Sequence, residues 1–160
     1  MMPSETDVAE VEERLGRRAK GDFEVVVRDE HGLPRVIRNA PLLHDGTPMP
    51  TRFWLVGKAD RSAVGRLESV GGVKRAEAEI DPEAIAAAHA RYAAERDAAL
   101  PAHHDGPTPF GGVGGTRQGV KCLHAHFAFH LAGGDDPVGR WVEQQLRLAE
   151  QATPSGTLDG

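Results

Sequence analysis

The stretch FEVVVRDEHGLPRVIR, residues 23–38, decides the fold, because it joins two β-strand patterns through a turn pattern. β-branched residues dominate residues 23–28 and 35–38, as is typical of strands. The intervening Asp29-Glu30-His31-Gly32 consists of residues that favour turns. The stretch therefore predicts a β-hairpin.

Further elements are predicted on both sides of this hairpin. A loop over residues 40–50 contains three prolines and should be ordered, and residues 51–56 should form a third strand. Apolar periodicity, N-cap residues and glycine stops predict five helices. They are expected at residues 4–18, from an N-cap at Asp60 to the Gly71-Gly72 pair, from Glu83 to Leu100, at residues 116–132, and from Asp136-Pro137 to about Gln151.

These elements predict an α+β fold, in which a small three-stranded antiparallel sheet packs against four to five helices. The helices that follow the sheet should cover one of its faces. Residues 1–20 are expected to be an N-terminal helix or flexible arm, residues 21–151 a single domain, and residues 152–160 a disordered tail. The residues expected to meet in one core are Val25, Val27, Ile37, Phe53, Leu55, Leu67, Phe127 and Leu131.

Composition argues against several classes of function. The net charge is −5, and the basic residues are interleaved with acidic ones, so a nucleic-acid partner is not expected. The sequence has no apolar run near the roughly 18 residues that a membrane span needs. The N-terminus is acidic and does not resemble a secretory signal, and the single Cys122 cannot form an intrachain disulfide. These features predict a cytoplasmic protein.

The segment KCLHAHFAFH, residues 121–130, is the strongest candidate for chemistry. Thiolate and imidazole are ligands that zinc prefers, so Cys122, His124, His126 and His130 are candidate zinc ligands. As a strand, this segment would place all four on one face. As a helix, which the Gly133-Gly134 stop favours, it would align Cys122, His126 and His130.

The helical interpretation limits how many of these residues share one metal. Cys122 and His130 would be separated by roughly 12 Å along the axis, beyond the combined reach of their side chains. Other ligands would then have to come from outside the helix, with the candidates Asp29, His31, His103, His104 and Asp105. The competing interpretation is a buried structural cysteine with hydrogen-bonded histidines at the edge of the core.

A glycine-rich run precedes the predicted helix at residue 116 and suggests an anion site. Free backbone N–H groups at a helix start attract anions, so Gly114, Gly115, Arg117 and Lys121 are candidate anion-binding residues. A flexible connector is the alternative. Arg38 and Arg96 are further candidates for binding a phosphate or carboxylate, and Asp45 lies in the proline-containing loop.

Several segments together resemble domain-of-unknown-function family 501, which is common in actinobacteria. The resemblance spans about residues 20–142. It rests on His31-Gly32-Leu33-Pro34, Asp45-Gly46-Thr47-Pro48-Met49-Pro50-Thr51 with Trp54-Leu55, Arg66-Leu67-Glu68, Tyr92 and Arg96, Val120-Lys121-Cys122-Leu123-His124, and Asp136-Pro137-Val138-Gly139.

The resemblance implies a genetic setting and no established activity. Genes of this family often lie near those of a septum-formation initiator and an exopolyphosphatase. Many members carry a cysteine at the position of Asp29 and another near Gly57, which with Cys122 and a histidine would form a zinc set. This chain has neither of those two cysteines.

Two functions therefore remain open from the sequence. The first is a zinc-dependent hydrolase acting on a small phosphorylated compound, with Arg117 and Lys121 holding the anion. The second is a non-enzymatic binding or accessory module in a cytoplasmic complex linked to cell division or the envelope. A cleft lined by Cys122, His126 and Arg117 would favour the enzyme, and an apolar patch near Met49 and Trp54 would favour the module.

Overall fold

The computed structural model describes residues 2–152 and has an α+β fold. Three strands form one antiparallel sheet in the order β1-β2-β3, and six α-helices surround it. The predicted fold class is confirmed. The elements are α1 (Glu5–Leu15), β1 (Phe23–Arg28), β2 (Pro34–Asn39), β3 (Phe53–Leu55), α2 (Lys58–Ser69), α3 (Gly72–Glu79), α4 (Pro82–Asp97), a short 3-10 helix (Val113–Gly115), α5 (Leu123–Leu131) and α6 (Pro137–Ala152).

The predicted hairpin is present, with β1 and β2 paired antiparallel. Its turn is closed by Asp29, whose carboxylate accepts the backbone N–H groups of His31 and Leu33 at 2.8 and 3.0 Å. The register shifts between Val25 and Val27, which places a bulge in β1. The side chain of Asp29 is thus committed to its own turn.

Helix α1 covers the face of the sheet that the later helices leave open. Ser4 caps it through a reciprocal capping box with Asp7, and Gly16 ends it in a left-handed conformation. Its Val11 packs with Phe23, Ile37 and Val56. Both faces of the sheet are therefore buried.

One part of the predicted core is wrong, because the two faces of the sheet form separate clusters. Val25 and Ile37 pair across the β1–β2 ladder and belong to the cluster under α1. The remaining predicted core residues meet on the opposite face: Val27, Phe53, Leu55, Leu67, Phe127 and Leu131. Ile37 pairs with Trp54, so alternation places its side chain on the face opposite to Phe53 and Leu55. Alternation alone would keep Val25 and Val27 on one face, and the bulge between them separates them.

The region after β3 contains one helix more than predicted. Helix α2 begins after Gly57, and Asp60 is not its N-cap. Instead, the Asp60 carboxylate pairs with Arg35 of β2 at 2.7 and 2.9 Å. The glycine pair ends α2 but also starts α3, because Gly71 adopts a left-handed turn from which the chain resumes as a helix.

The helix predicted at residues 116–132 is shorter in the structure, and its predicted start is wrong. Helix α5 begins at Leu123, and Cys122 precedes it in an extended conformation. Left-handed glycines at Gly114, Gly115 and Gly119 prevent a continuous helix over the preceding residues. Helix α5 contacts β3, α2 and α6 and lies in the centre of the larger cluster. Across residues 2–152, no helix combines the length and apolar character that crossing a bilayer requires.

The other predicted caps and the loop are confirmed. Asp81 caps α4, and Asp136 accepts the N–H groups of Val138 and Gly139 at the start of α6. The loop over residues 40–50 is held by backbone hydrogen bonds and a bridge between Leu42 and Pro48. Of the predicted disordered tail, residues 152–160, Ala152 is the last residue of α6 and the rest lies outside the described residues.

Tyr92 of α4 joins this helix to the sheet. It is fully buried, and its hydroxyl oxygen accepts the backbone N–H groups of Arg52 and Phe53 at 2.6 and 3.1 Å. Its ring also meets Phe53 and Phe129 edge to face. Burial raises the pKa of Tyr92 to about 12, against 10.0 for a free tyrosine.

We predict that the tyrosine of this chain ionises near pH 12 in the folded state. Tyr92 is the sole tyrosine, so an alkaline titration followed by tyrosinate absorbance reports on it alone. A raised folded-state pKa means that the neutral hydroxyl stabilises the fold fully below pH 10 and that this contribution is lost between about pH 10 and 12. Ionisation near pH 10 without unfolding would show that Tyr92 is accessible to water.

Candidate metal centre

Three potential metal ligands converge where α5 meets α2. They are Glu68, Cys122 and His124, and one ligand atom from each lies within 4.8 Å of the others. The Cys122 Sγ and His124 Nδ1 atoms are 3.7 Å apart, and His124 Nδ1 lies 3.3 Å from a Glu68 carboxylate oxygen. All three side chains are partly buried. This cluster is the candidate metal centre.

Local structure fixes each member of the centre. Glu68 lies in the last turn of α2, and its Oε2 accepts the N–H of Leu123, the first residue of α5, at 2.8 Å. That bond leaves Oε1 facing His124. Cys122 immediately precedes α5 and is extended, so it does not share a helical face with His126. Its Sγ lies beside His124 instead.

The hydrogen bonds of His124 determine which of its nitrogens is available. Its Nε2 lies 3.2 Å from the backbone oxygen of Arg61, and a carbonyl oxygen can only accept. Nε2 therefore carries the hydrogen, and in the neutral ring Nδ1 keeps a lone pair directed at the cluster. The pKa of His124 is raised overall. The hydrogen bond with Cys122 is the largest cause, and the negative charge of Glu68 adds to it, whereas burial acts in the opposite direction.

The two distances from His124 to the other members of the centre fit tetrahedral zinc. Tetrahedral angles with ordinary zinc bond lengths place a nitrogen and an oxygen ligand about 3.3 Å apart, and a nitrogen and a sulfur ligand about 3.6 Å apart. The corresponding distances from His124 to Glu68 and Cys122 are 3.3 and 3.7 Å. His124 Nδ1 thus lies at the spacing of a zinc ligand from both Glu68 and Cys122, and the ligand atoms of those two residues lie within 4.8 Å of each other.

His126 and His130, predicted as ligands with Cys122 and His124, point away from this centre. His126 is fully buried, and its Nδ1 lies 2.7 Å from a carboxylate oxygen of Asp136. His130 pairs with Glu143 of α6 at 2.7 Å. At about 100° per residue, His124 lies on the opposite side of α5 from His126, whereas His130 shares the side of His126 but lies one turn further along, beside Glu143 of α6.

The surface next to His124 is rich in basic groups. A pocket there is lined by Glu13, Arg14, Lys58, Arg61, Ser62 and His124. Arg14 is engaged by Glu10, and Arg61 donates to the backbone oxygen of Arg14 at 2.8 Å. Lys58 is exposed and forms no ion pair within the described chain. Lys58 and Arg61 are thus cations available to an anion at this pocket.

The predicted anion-binding residues occupy other positions. Gly114 and Gly115 form the short 3-10 helix and not the start of α5, whose first N–H is taken by Glu68. The guanidinium of Arg117 stacks on the ring of Phe110, with 4.2 Å from its carbon to the ring centroid. Lys121 is exposed. The predicted anion site at that helix start is therefore absent from residues 111–123.

Arg38, Asp45 and Arg96 each have partners of their own. Arg38 pairs with Glu24 of the neighbouring strand at 2.8 Å. Asp45 accepts the N–H of Thr47 within its turn, and its hydrogen bonds with Thr47 lower its pKa. Arg96 is buried in α4 and donates to the backbone oxygens of Pro50 and Gly111.

The other sequence candidates do not join the centre. Within the described residues, the cluster with metal-ligand spacing comprises Glu68, Cys122 and His124 alone. Asp29 closes the hairpin turn, His31 is exposed, and His104 bonds to the Pro107 oxygen. His103 and Asp105 do not belong to that cluster either.

Sequence reasoning missed Glu68, Lys58 and Arg61 as site residues. They lie on α2, more than 50 positions before His124, and no short motif joins them to it. One signal was available for Glu68, because the family resemblance includes the segment Arg66-Leu67-Glu68. The backbone contact of Glu68 with Leu123 explains how that segment reaches the cysteine and histidine.

Comparison with known proteins places the chain in a family. A family model described as "Protein of unknown function (DUF501)" matches residues 25–144, which is more than half of the chain. The chain belongs to this family. The match includes all three members of the candidate centre. Neither the curated proteins nor the solved structures contain a significant match.

We predict that Asp136→Ala lowers the free energy of unfolding by about 3 to 5 kcal/mol, because it leaves His126 without its partner inside the core. Asp136 is fully buried and also caps α6. The neighbouring Asp135 is an exposed matched control, with ion pairs on the surface. Asp135→Ala should cost less than about 1 kcal/mol in the same denaturant titration. Equal losses in the two variants would contradict a structural role for the buried pair.

Proposed function

We propose that this protein is a cytoplasmic zinc-dependent hydrolase of a small phosphorylated compound. The observation that carries the proposal is the convergence of Glu68, Cys122 and His124 within 4.8 Å of one another, with His124 at the spacing of a tetrahedral zinc ligand from the other two. The cationic pocket beside His124 supports the choice of substrate. The residues of the candidate metal centre and most of those that line the cationic pocket belong to α2 and to the start of α5.

The number of protein ligands favours a catalytic over a structural zinc. Structural sites usually hold four protein ligands, whereas catalytic sites hold three and keep one position open. Zinc in such a site acts as a Lewis acid and activates water. Glu68 and His124 are each fixed by a second hydrogen bond, to Leu123 and Arg61 respectively, so their ligand atoms are held in place.

Lys58 and Arg61 are the proposed phosphate-binding residues. They line the same pocket as His124, and their charges would offset that of a phosphate group. Glu13 lines this pocket as well, so the site is not uniformly positive. A small phosphate group held between Lys58 and Arg61 would lie near His124, whereas a large polyanion would also meet the Glu13 carboxylate.

Metal analysis of the protein purified without a histidine tag tests the zinc site. We expect close to one equivalent of zinc in the wild type and less than about 0.2 equivalents in His124→Ala, since three ligands are needed to retain it. His44→Ala is the matched control, because His44 is exposed and pairs with Asp22. Glu68→Gln and Cys122→Ser should also lower the zinc content.

Two results would overturn the zinc site. One is a wild-type protein that stays metal-free after reconstitution with zinc and dialysis. The other is zinc that is lost equally from His44→Ala and His124→Ala. Circular dichroism of each variant separates loss of metal from loss of fold.

Hydrolysis is tested on the zinc-loaded protein with a panel of chromogenic phosphomonoesters and a phosphoanhydride. We expect turnover that is abolished in His124→Ala. Lys58→Gln should lower kcat/KM by about tenfold, because a charge-assisted contact to phosphate is lost. Lys74→Gln is the control, since Lys74 is an exposed lysine on α3. Stoichiometric zinc without turnover on any member would contradict the hydrolase but leave the metal site intact.

The second candidate function is a non-enzymatic binding or accessory module, linked to cell division or the envelope. It is favoured by an apolar cavity between α1, the sheet and the proline-containing loop, whose lining includes Leu43, Met49 and Trp54. The Arg17 guanidinium lies over the Trp54 ring at 5.2 Å. This candidate predicts a zinc-free protein without turnover, so the two experiments above distinguish it from the enzyme.

A further inference from the structure

A second cleft lies between α4 and the loop that precedes α5, and no part of the proposed zinc chemistry uses it. One wall consists of the alanines of α4, and the other carries Phe110 and Arg117. His89, Arg96, Gly111 and Gly112 also line it. The cleft therefore combines small apolar side chains, one exposed aromatic ring and two guanidinium groups.

Glycines allow the loop to approach α4 closely. A Cβ atom at Gly112 would lie 2.5 Å from the Cβ of His89, so any larger residue would push the loop away from the helix. Gly111 has a φ of +78° and passes close to the backbone of Gly115. The ring of His89 then binds both sides of the loop, accepting from Val113 N–H and donating to the Gly119 oxygen. The walls of the cleft are thus held in place.

Arg96 is an unusual lining residue because it is a buried arginine. Its side chain is 1% exposed. Nε donates to Asp97, and Nη1 donates to the backbone oxygens of Pro50 and Gly111. The second terminal nitrogen, Nη2, forms no hydrogen bond within residues 2–152. Nη2 is therefore the guanidinium nitrogen of Arg96 that has hydrogen-bonding capacity left, and Arg96 lines the cleft.

Arg117 supplies the second charge. Its guanidinium stacks on Phe110, and none of the ion pairs among the described residues involves it. Asp97, which also lines the cleft, already pairs with Arg96 and is 46% exposed. His89 is a neutral ring, because its Nδ1 accepts one hydrogen bond and its Nε2 donates another. Arg96 and Arg117 are positive and Asp97 is negative, so the lining of the cleft has one positive charge more than negative charges.

We propose that this cleft binds a small organic anion, in which a phosphate or carboxylate group meets Arg96 and Arg117 and a flat apolar body lies against the α4 alanines and the face of Phe110 that Arg117 leaves uncovered. Planar guanidinium groups bind both kinds of oxyanion, and an exposed phenyl ring provides a stacking surface. This site is separate from the zinc centre and needs no metal.

The proposal is tested by nuclear magnetic resonance titration of the full chain with phenylphosphonate, which cannot be hydrolysed as a phosphoester. We expect saturable shifts at the amides of Gly111 and Gly112. Arg117→Gln should weaken binding by about tenfold, because a charge-assisted hydrogen bond is lost. Arg140→Gln is the matched control, an exposed arginine of α6. His124→Ala should bind as the wild type does, which separates this site from the zinc centre.

Inorganic phosphate and benzoate distinguish the parts of the ligand. Tighter binding of phenylphosphonate than of phosphate supports the stacking surface, and equal affinity overturns it. A response to benzoate but not to phosphate identifies a carboxylate ligand with the same apolar body. The absence of saturable shifts with all three compounds, or equal weakening by Arg117→Gln and Arg140→Gln, overturns the site. Phe110→Ala removes the ring and with it the stacking partner of Arg117, so it should weaken the binding of phenylphosphonate more than that of phosphate.

Discussion

The burial of α5 is the constraint on which the rest of the structure depends. This helix lies between the sheet and helices α2 and α6, so polar groups on it must find partners among its neighbours. Each of its histidines does so with a carboxylate from a different segment. His124 faces Glu68 of α2, His126 faces the N-cap residue Asp136, and His130 faces Glu143 of α6. These pairs orient the surrounding helices around α5.

The candidate metal centre follows from the same constraint. The first N–H of a buried helix needs an acceptor, and Glu68 provides it with one oxygen while the other faces His124. Cys122 stands immediately before the helix and completes the cluster. One carboxylate thus helps to fix the helix start and to form the centre. A substitution at Glu68 is expected to affect both folding and metal binding, so the His124 variant is the cleaner probe.

Sequence patterns predicted the hairpin, the third strand and five of the six helices because local signals encode them. Strand alternation, the N-cap residues Asp81 and Asp136 and the glycine stops act within a few residues. The errors arose where the structure depends on contacts between residues that are far apart in the sequence, or on the backbone conformation of glycines. Asp60 resembles an N-cap but pairs with Arg35 on the sheet. The glycines that suggested an anion site in front of a helix instead turn the chain, so α5 begins at Leu123.

The sequence by itself determined the α+β class, the family and the segment that contains the candidate chemistry, because these depend on local pattern and composition. Only the tertiary structure decided which residues of that segment belong together. Cys122 and His124 meet Glu68, which lies 54 and 56 positions earlier in the chain, whereas His126 is committed to the core. The physical reason is that side-chain direction depends on where a helix begins and what packs against it, and neither is a property of the residue types alone.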